Sequence, residues 1–356
     1  MKLTDLGYKD HFEKYRAEQK LLQFEVGRVI SEHKERYVVI TEKGEYDAEI
    51  TGNLRFSAKC REDFPAVGDW VALSIFDPDF SIIHHILPRS AVLSRQAAGQ
   101  PTEKQIIAAN IDYALLVQAT DRDFNLNRLE RYLTICHASG VSPIIVLTKT
   151  DLIDPDTLAS LIDKVRRREK GLPVFAISNE TMDGLNEFKS IIEKGKTYCM
   201  LGSSGVGKST LINRLSGRDT MQTGAISDST GKGRHVTSHR ELIILENGGI
   251  LIDNPGMREV GITDQEEGLG YAFDMILQRA PECRFKDCTH TNEAGCAVIE
   301  AVQSGELDSD VLENYLKLQR EISRYETSVA EKRKKDKQFG KILKDYQKRD
   351  VKGKGN

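Results

Sequence analysis

The sequence predicts a multidomain chain in which a five-stranded β-barrel is followed by a mostly parallel α/β domain and then by a mainly helical domain. Three observations predict this order. Short strands separated by turn residues fill residues 24–87, apolar strands alternate with helical stretches from about residue 105, and three cysteines and one histidine cluster near residue 290. At 356 residues the chain also exceeds the usual size of one hydrophobic core. We predict an N-terminal extension over residues 1–22, the barrel over 23–92, the α/β domain over 93–264, the third domain over 265–330 and a basic tail over 331–356.

The barrel is predicted from five short strands within about 65 residues. An OB-fold has five strands and binds oligonucleotides, and we favour it here. SH3-like barrels have similar patterning and remain the alternative. The fold by itself would not establish nucleic-acid binding. The predicted strands are residues 24–30, 35–41, 44–52, 67–76 and 80–87.

The α/β domain is predicted from five apolar strands, each of which ends at a polar or glycine-containing loop. In doubly wound sheets the loops at the carboxyl ends of the strands line the ligand crevice, so we expect the chemistry to lie there. The strands are residues 112–119, 142–148, 173–178, 196–202 and 248–253.

Composition and charge indicate a cytoplasmic protein. No apolar run approaches the 18 or so residues that a membrane span needs, and the charged N-terminus lacks the apolar centre of a secretory signal. We therefore expect no membrane partner and reduced thiols, with Cys60, Cys136 and Cys199 as small buried side chains. Residues 331–356 hold 11 Lys or Arg against 4 Asp or Glu. A basic tail on an acidic body suggests a polyanionic partner, and a solvated tail is the equally open alternative.

A phosphate-binding loop follows the strand near residue 200. The segment matches GxxxxGK[ST] and is flanked by a strand and a helical stretch, which is the context that this motif requires. Its backbone N–H groups form a concave anion site, the lysine neutralises the β- and γ-phosphates, and the serine hydroxyl ligates Mg²⁺. The predicted phosphate-binding residues are Gly202, Ser203, Ser204, Gly205, Val206, Gly207, Lys208, Ser209 and Thr210.

A second phosphate-site segment, Asp253-Asn254-Pro255-Gly256, ends the strand some 45 residues later. Asp253 is the candidate second ligand of Mg²⁺, and the Gly256 N–H is placed to sense the γ-phosphate. A strand that ends in Asp before a Pro-Gly turn is common, so this assignment depends on the P-loop upstream.

The base is predicted to be guanine. Thr148-Lys149-Thr150-Asp151 follows an apolar strand and resembles the [NT]KxD loop of GTPases. Asp151 can accept hydrogen bonds from N1–H and the 2-amino group of guanine, while the stem of Lys149 packs over the base. Adenine offers no such donor pair, so an unpaired Asp151 would penalise ATP. Residues Ala176 to Ser178, at the end of the next strand, would place a backbone N–H against the guanine oxygen.

The motifs therefore occur in the order base loop, P-loop and DxPG, which is a circular permutation of the usual GTPase order. Because all these loops lie at one edge of the sheet, connecting the strands differently leaves the site intact. The chain then leaves DNPG directly into the third domain, so γ-phosphate sensing could be transmitted there mechanically.

The polar segment 223–242 is typical of a nucleotide-sensitive switch. Thr237 is the candidate for the second hydroxyl on Mg²⁺, with Ser238 as the alternative. Met257 stands where Ras-like enzymes place the glutamine that orients water, so we expect slow intrinsic hydrolysis. His235 is a candidate group for positioning water, although a histidine in a loop is more often simply solvated.

A zinc site is predicted in the third domain. Cys283-x4-Cys288-x-His290-x5-Cys296 supplies three thiolates and one imidazole within 14 residues. Four protein ligands fill a tetrahedral Zn²⁺ shell, so the site should be structural. Reduced, unliganded thiols are the alternative.

Together these segments resemble the ribosome small-subunit-dependent GTPase A (RsgA) family over nearly the whole chain. The resemblance rests on TKTD, GSSGVGKST, GKGRHVTSHREL and DNPG in permuted order, followed by CRFKDCTHTNEAGC. It implies an OB-fold, a permuted GTPase domain and a zinc-binding domain that bind the 30S subunit and its 16S rRNA late in maturation. It also implies GTP hydrolysis to GDP that the particle stimulates, with a catalytic role for His235.

Three residues depart from the family pattern. Asn254 replaces the usual Thr, Val236 interrupts the usual HTT run, and Ala294 replaces a common Pro. Neither Asn254 nor Ala294 replaces a ligand, whereas Val236 makes the assignment of Thr237 less secure.

We predict a monomeric GTPase, and two alternatives stay open from the sequence. The chain could be an RNA-binding assembly protein in which nucleotide is only a structural ligand. It could also be a P-loop ATPase or kinase in which TKTD is accidental.

Overall fold

The structure is a computed structural model, which describes residues 1–33, 36–97, 100–121, 124–169, 171–217, 240–253, 269 and 272–324. The strands are β1 (Glu25–His33), β2 (Arg36–Thr41), β3 (Glu45–Ile50), β4 (Trp70–Asp77), β5 (Phe80–Ile86), β6 (Val92–Ala97), β7 (Gln100–Ala109), β8 (Tyr113–Ala119), β9 (Ser142–Thr148), β10 (Val174–Ala176), β11 (Thr197–Leu201), β12 (Arg240–Ile244) and β13 (Ile250–Asp253). The helices are α1 (Asp10–Glu18), α2 (Gly52–Ser57), α3 (Leu126–Ala138), α4 (Pro155–Arg168), α5 (Leu185–Ser190), α6 (Lys208–Ser216), α7 (Asp274–Arg279), α8 (Ala297–Gln303) and α9 (309–324).

The first five strands form the closed barrel that the sequence predicts. Their order is β1-β2-β3-β5-β4, and β4 pairs back with β1 to close the barrel. The parallel pair of β3 and β5, with α2 between β3 and β4, gives the Greek-key connection of an OB-fold. Alternate side chains such as Val39, Val71 and Leu73 point inward and are fully buried. This order confirms the OB-fold over the SH3-like alternative.

The α/β domain is a doubly wound sheet with a separate core on each face. Strands β10, β9, β8, β11 and β13 are parallel, and β12 is antiparallel to β13. On one face the apolar side chains of α3 and α4 pack on the sheet, and on the other those of α5 and α6 do so. The loops at the carboxyl ends of these parallel strands therefore meet at one edge.

The barrel and the α/β domain share one sheet of eleven strands within the described residues. The link is an antiparallel pair in which Ser31 and Glu32 of β1 face Glu241 and Arg240 of β12. The sequence placed residues 240–242 in a polar switch, and the structure corrects this expectation. Residues 242–245 are an apolar run, and Leu242 is buried, so this end of the segment is more stable as a strand. The antiparallel pair of β6 and β7 was not predicted either.

The N-terminal extension is held on the barrel around Arg28. Phe12 lies against Trp70, with the ring centroids 5.9 Å apart. The fully buried guanidinium of Arg28 donates to the carbonyls of Leu6, Gly68 and Asn110, which belong to the extension, the barrel and the α/β domain. It also lies 5.5 Å from the centre of the Trp70 ring. Burial lowers the pKa of Arg28 to about 10, and Asp112 and Asp69 oppose that shift.

The third domain packs on the same face of the sheet as α3 and α4. In α9 apolar side chains recur at helical spacing, and Tyr315, Leu318 and Ile322 are buried in that core. The helix begins after Asp308, whose side chain accepts from the N–H of Asp310, as expected of an N-cap residue.

The scattered cysteines differ from the prediction at one position. Cys136 and Cys199 are fully buried, and burial raises the pKa of both thiols. Cys60 is exposed, because it lies in the polar loop before β4 rather than in a strand or helix. Throughout the part of the chain that the structure describes, every helix is too short or too polar to cross a membrane.

Candidate nucleotide-binding site and metal centre

The P-loop leaves β11 and enters α6 in the geometry that the motif requires. Gly207 has φ +92 and is the residue before the helix, a conformation that favours glycine. Gly202 has no room for a side chain, since a Cβ there would lie 2.3 Å from the carbonyl oxygen of Val117. Both glycines are therefore fixed by backbone geometry, and the loop presents its N–H groups at the helix N-terminus.

Lys208 folds over the loop. Its Nζ donates to the carbonyl oxygen of Gly202 at 2.7 Å and also to that of Ser203. The ammonium thus lies on the concave side of the loop, where a charged phosphate oxygen would be a stronger acceptor than a neutral carbonyl. Ser209 and Thr210 follow in the first turn of α6 and are half-buried. Ser204 is half-buried and Gly205 exposed at the loop tip.

Thr148 joins the base loop to the P-loop. It is fully buried at the end of β9, and its hydroxyl donates to the carbonyl oxygen of Val206 at 2.6 Å. Thr148, predicted from the sequence to bind nucleotide, therefore contacts the P-loop backbone in this geometry. The contact sets the two predicted loops side by side across 58 residues of sequence.

The two side chains of this loop that are predicted to contact the base are each bonded to a residue outside the motif. Asp151 accepts from the hydroxyl of Ser178 at 2.6 Å. The ammonium of Lys149 lies 2.7 Å from a carboxylate oxygen of Asp121, a residue that follows β8. Lys149 has φ +59, which is unusual for a residue with a side chain.

The sequence predicts that the loop after β10 directs a backbone N–H towards the guanine oxygen, but two of its N–H groups form hydrogen bonds within the protein. The N–H of Ile177 donates to Leu147 and that of Ser178 to Asp183, so both are engaged within the protein. Asn179, the next residue, is buried, and its side-chain amide donates to the carbonyl oxygen of Gly207 at 3.2 Å. Its Oδ1 lacks a hydrogen-bond partner among the described residues. The sequence singled out Ala176 and Ser178, and the structure draws Asn179 to the P-loop beside them.

Of the remaining residues predicted at the phosphate site, one lies within the described residues and three lie outside them. Asp253 is 6% exposed and ends β13 next to β11, where Cys199 and Ile252 are paired. It therefore lies beside the strand that enters the P-loop. Gly256, His235 and Thr237 lie outside the described residues.

Two further residues at this edge were missed by sequence reasoning. Arg128, in the first turn of α3, donates to the hydroxyl of Ser203 in the P-loop, and Asp121 pairs with Lys149. The signal was available in part, because the loop after β8 must reach the same edge as the loops after β9 and β11. No motif marks these positions.

The four predicted metal ligands lie together. Their ligand atoms are within 4.8 Å of one another. The Sγ atoms of Cys283 and Cys296 are 3.8 Å apart, and the Nδ1 of His290 lies 3.6 and 3.4 Å from them. A tetrahedral zinc site with Zn–S bonds of about 2.3 Å has S···S edges of about 3.8 Å, so the donor set of Cys283, Cys288, His290 and Cys296 fits a metal ion. Burial also lowers the pKa of His290, which favours the neutral imidazole that a metal needs.

A buried polar network connects the α/β domain to α9. Glu130 of α3 is 1% exposed and pairs with Arg168 of α4 and with the side-chain amide of Asn314 of α9. Burial raises the pKa of Glu130 despite Arg168. Nearby, burial and Glu130 raise the pKa of Glu169 to about 8. Helix α3 therefore contacts the third domain through Glu130 and the P-loop through Arg128.

Comparison with known proteins agrees with this geometry. A family model described as RsgA GTPase matches residues 86–263, and one described as 50S ribosome-binding GTPase matches residues 197–338. The chain is 39% identical to small ribosomal subunit biogenesis GTPase RsgA 1 of Bacteroides thetaiotaomicron, over 98% of this chain and 97% of that protein. It is 46% identical to RsgA 2 of Lactiplantibacillus plantarum, over 84% and 83%.

Two solved structures are similar. YjeQ from Thermotoga maritima matches with a TM-score of 0.63 at 26% identity, over 83% of this chain and 96% of that chain. YloQ, described as a circularly permuted GTPase, matches with a TM-score of 0.61 at 28% identity, over 85% and 96%. The permutation that the motif order indicates for this chain is therefore also named in the description of a similar solved structure.

Proposed function

Because this chain belongs to the RsgA family of GTPases, we propose that it binds the small ribosomal subunit and couples GTP hydrolysis to a late step of 30S maturation. The chain is a GTP hydrolase, and we propose that hydrolysis is slow in isolation and stimulated by the particle. The observation that carries the proposal is the contact between Thr148 and Val206, which sets the guanine loop against the P-loop at one edge of a permuted sheet.

The nucleotide would be held by groups of three kinds. Backbone N–H groups from Gly202 to Ser209 and the ammonium of Lys208 bind the phosphates. Asp151 reads the guanine edge, and we propose the N–H of Asn179, rather than that of Ser178, as the donor to the guanine oxygen, since Ser178 is engaged with Asp183.

Ser209 and Asp253 would hold Mg²⁺, with Thr237 as the proposed switch ligand, and the ion neutralises phosphate charge when bound. His235 is the proposed group that positions water. Gly256 is the proposed γ-phosphate sensor.

The small subunit is favoured over the large one. The model described as 50S ribosome-binding GTPase covers residues 197–338 only, and this stretch holds the P-loop but not the guanine loop. The relatives that match over most of their length are named for the small subunit. We therefore attribute this partial match to the phosphate-binding half of the GTPase domain, which the two families share.

Contacts with 16S rRNA are proposed for the barrel and for the metal loop, residues 283–296, which carries the four candidate metal ligands. The barrel has the OB topology, which suits oligonucleotides. In the metal loop, Phe285 is 46% exposed between Arg284 and Lys286, and the Arg284 guanidinium lies 5.4 Å from the centre of its ring. Exposed aromatic rings beside cations stack well on unpaired bases. The basic tail would add an attraction for phosphates that depends on salt.

We propose Zn²⁺ as the metal, one structural ion per chain, because four protein ligands leave no open position. We further propose a cytoplasmic monomer. Metal analysis measures the zinc content, and light scattering measures whether the chain is a monomer.

The test is the rate of GTP hydrolysis by the purified chain, with and without 30S subunits. We expect multiple turnover that rises on adding the particle, and a smaller rise with 50S subunits. If turnover stays absent with 30S subunits, the chain is instead an RNA-binding assembly protein with nucleotide as a structural ligand.

Base selectivity separates this function from a P-loop ATPase. We expect Asp151→Asn to shift preference from guanosine to xanthosine nucleotides, because xanthine has an oxygen where guanine has its 2-amino group. Equal affinity of the unaltered chain for ADP and GDP would exclude the guanine site.

A further inference from the structure

In the loop between β8 and α3, residues 120–125, Thr120 and Asp121 contact the base loop. Of this loop the structure describes Thr120, Asp121, Phe124 and Asn125. The side chain of Gln118 clamps its far end, accepting from the N–H of Asn125 at 3.0 Å and donating to its carbonyl at 3.1 Å. Asn125 in turn caps α3. The far end of the loop is therefore anchored by Gln118, which belongs to none of the nucleotide motifs.

This loop holds Lys149 at two points. The hydroxyl of Thr120 donates to the carbonyl oxygen of Lys149 at 2.9 Å, and the Lys149 ammonium lies 2.7 Å from Asp121. The first contact supports the backbone of Lys149 in its left-handed conformation, with φ +59. The second fixes the end of the side chain. The side chains of Lys149 and Asp121 are 23% and 26% exposed, so the ion pair is partly shielded from water.

We propose that Asp121 is a positioning residue for guanine nucleotides. It holds the Lys149 ammonium so that the methylene stem is extended before the base arrives. A free lysine side chain carries about 2 kcal/mol of rotamer entropy, and packing its stem over a base would otherwise lose much of that freedom. The inference deepens the proposed function and rests on it, since it assumes that Lys149 packs on guanine.

The positioning role and a simple field effect predict opposite results. A nucleotide is an anion, so the negative charge of Asp121 near the site repels it at long range. If charge alone mattered, Asp121→Asn would bind GDP more tightly, most of all at low salt. If positioning matters, the same isosteric change weakens binding, because the ammonium loses its partner and the stem becomes mobile.

The experiment is calorimetric titration of the full chain, with zinc and Mg²⁺ present, using GDP and IDP. We expect Asp121→Asn to weaken the binding of both nucleotides about three- to tenfold, because the lost ion pair is partly exposed and orders one side chain. IDP lacks the 2-amino group that Asp151 reads, so the ratio of the two affinities should stay as in the unaltered chain. A general distortion of the site would change that ratio.

Two further variants make the test specific. Asp121→Glu should restore most of the affinity, and Asp163→Asn, a matched change at an exposed site on α4, should have no effect. In a Lys149→Ala background Asp121→Asn should weaken GDP binding no further, because the two side chains act as one unit.

The proposal is overturned if Asp121→Asn binds GDP as tightly as the unaltered chain or more tightly, or if its effect persists without Lys149. Failure of the guanine site itself would appear separately, as Asp151→Asn that gains no affinity for xanthosine nucleotides. The two failures are therefore distinguishable.

Discussion

Replacing Arg28 by methionine tests whether one buried cation holds three segments of the chain together. The guanidinium donates to Leu6 in the N-terminal extension, to Gly68 in the barrel and to Asn110 in the α/β domain. Methionine fills similar space with an apolar chain and removes every donor. The perturbation therefore leaves packing largely intact and deletes the hydrogen bonds.

The expected cost follows from which carbonyls lose their donor. Gly68 keeps a second donor, the side-chain amide of Asn110 at 3.1 Å, so the main losses fall on the carbonyls of Leu6 and Asn110. A buried carbonyl deprived of its donor costs about 1 to 3 kcal/mol. Methionine also avoids the desolvation of a buried charge, which offsets part of this loss. We expect a net destabilisation of about 2 to 4 kcal/mol at this junction.

Hydrogen exchange measured by mass spectrometry reports this loss locally, which matters because a chain of several domains need not unfold in one step. The amides of residues 3–18 should exchange faster by about one and a half to three orders of magnitude, since each tenfold corresponds to about 1.4 kcal/mol. Arg167→Met, at an exposed position of α4, is the matched control. Exchange in residues 3–18 that stays within about threefold of the control would refute the role assigned to Arg28.

Three further predictions concern the P-loop, the metal and a buried acid. Lys208→Ala should weaken GTP binding by at least about a hundredfold, because it removes the cation that meets the phosphates, and unchanged GTP affinity in a filter-binding assay would contradict the P-loop assignment. Metal analysis should find about one zinc ion per chain and much less in Cys288→Ser, whereas a folded chain without metal would contradict the ligand set. The pKa of Glu169 is raised from 4.5 to about 8 by burial, so between these pH values the folded state binds a proton that the unfolded state has released. The contribution of Glu169 to stability therefore falls as pH rises from about 4.5 to 8. Glu169→Gln should therefore raise the melting temperature at pH 8.5 but not at pH 4.5, and an equal effect at both values would contradict the raised pKa.

The chemistry of the site could be predicted from sequence because its motifs are local. A P-loop works through consecutive backbone N–H groups, so the spacing of Gly202, Gly207 and Lys208 already defines it. The candidate metal ligands were predictable for the same reason, since four donors within 14 residues can reach one ion. The barrel followed from strand periodicity, although its closure as an OB-fold depended on the pairing of β3 with β5.

Contacts between loops were predictable only in part. Parallel strands bring the loops after β8, β9 and β11 to one edge, and this places the region of Asp121 near Lys149. Which side chain in that region would meet the lysine depends on loop conformation. Similarly, Thr148 was identified as a nucleotide-loop residue, but its buried contact with Val206 follows from the packing of two loops 58 residues apart in sequence.

The sequence by itself determined the class of ligand, the permuted order of the motifs and the cluster of candidate metal ligands, because each depends on residues close together along the chain. Only the tertiary structure decided how the domains are joined. The pairing of β1 with β12, the three acceptors of Arg28, and the contact of Glu130 with Asn314 all connect distant segments. Their physical reason is shared: a buried strand edge, cation or carboxylate must find partners, and the fold decides which segment supplies them.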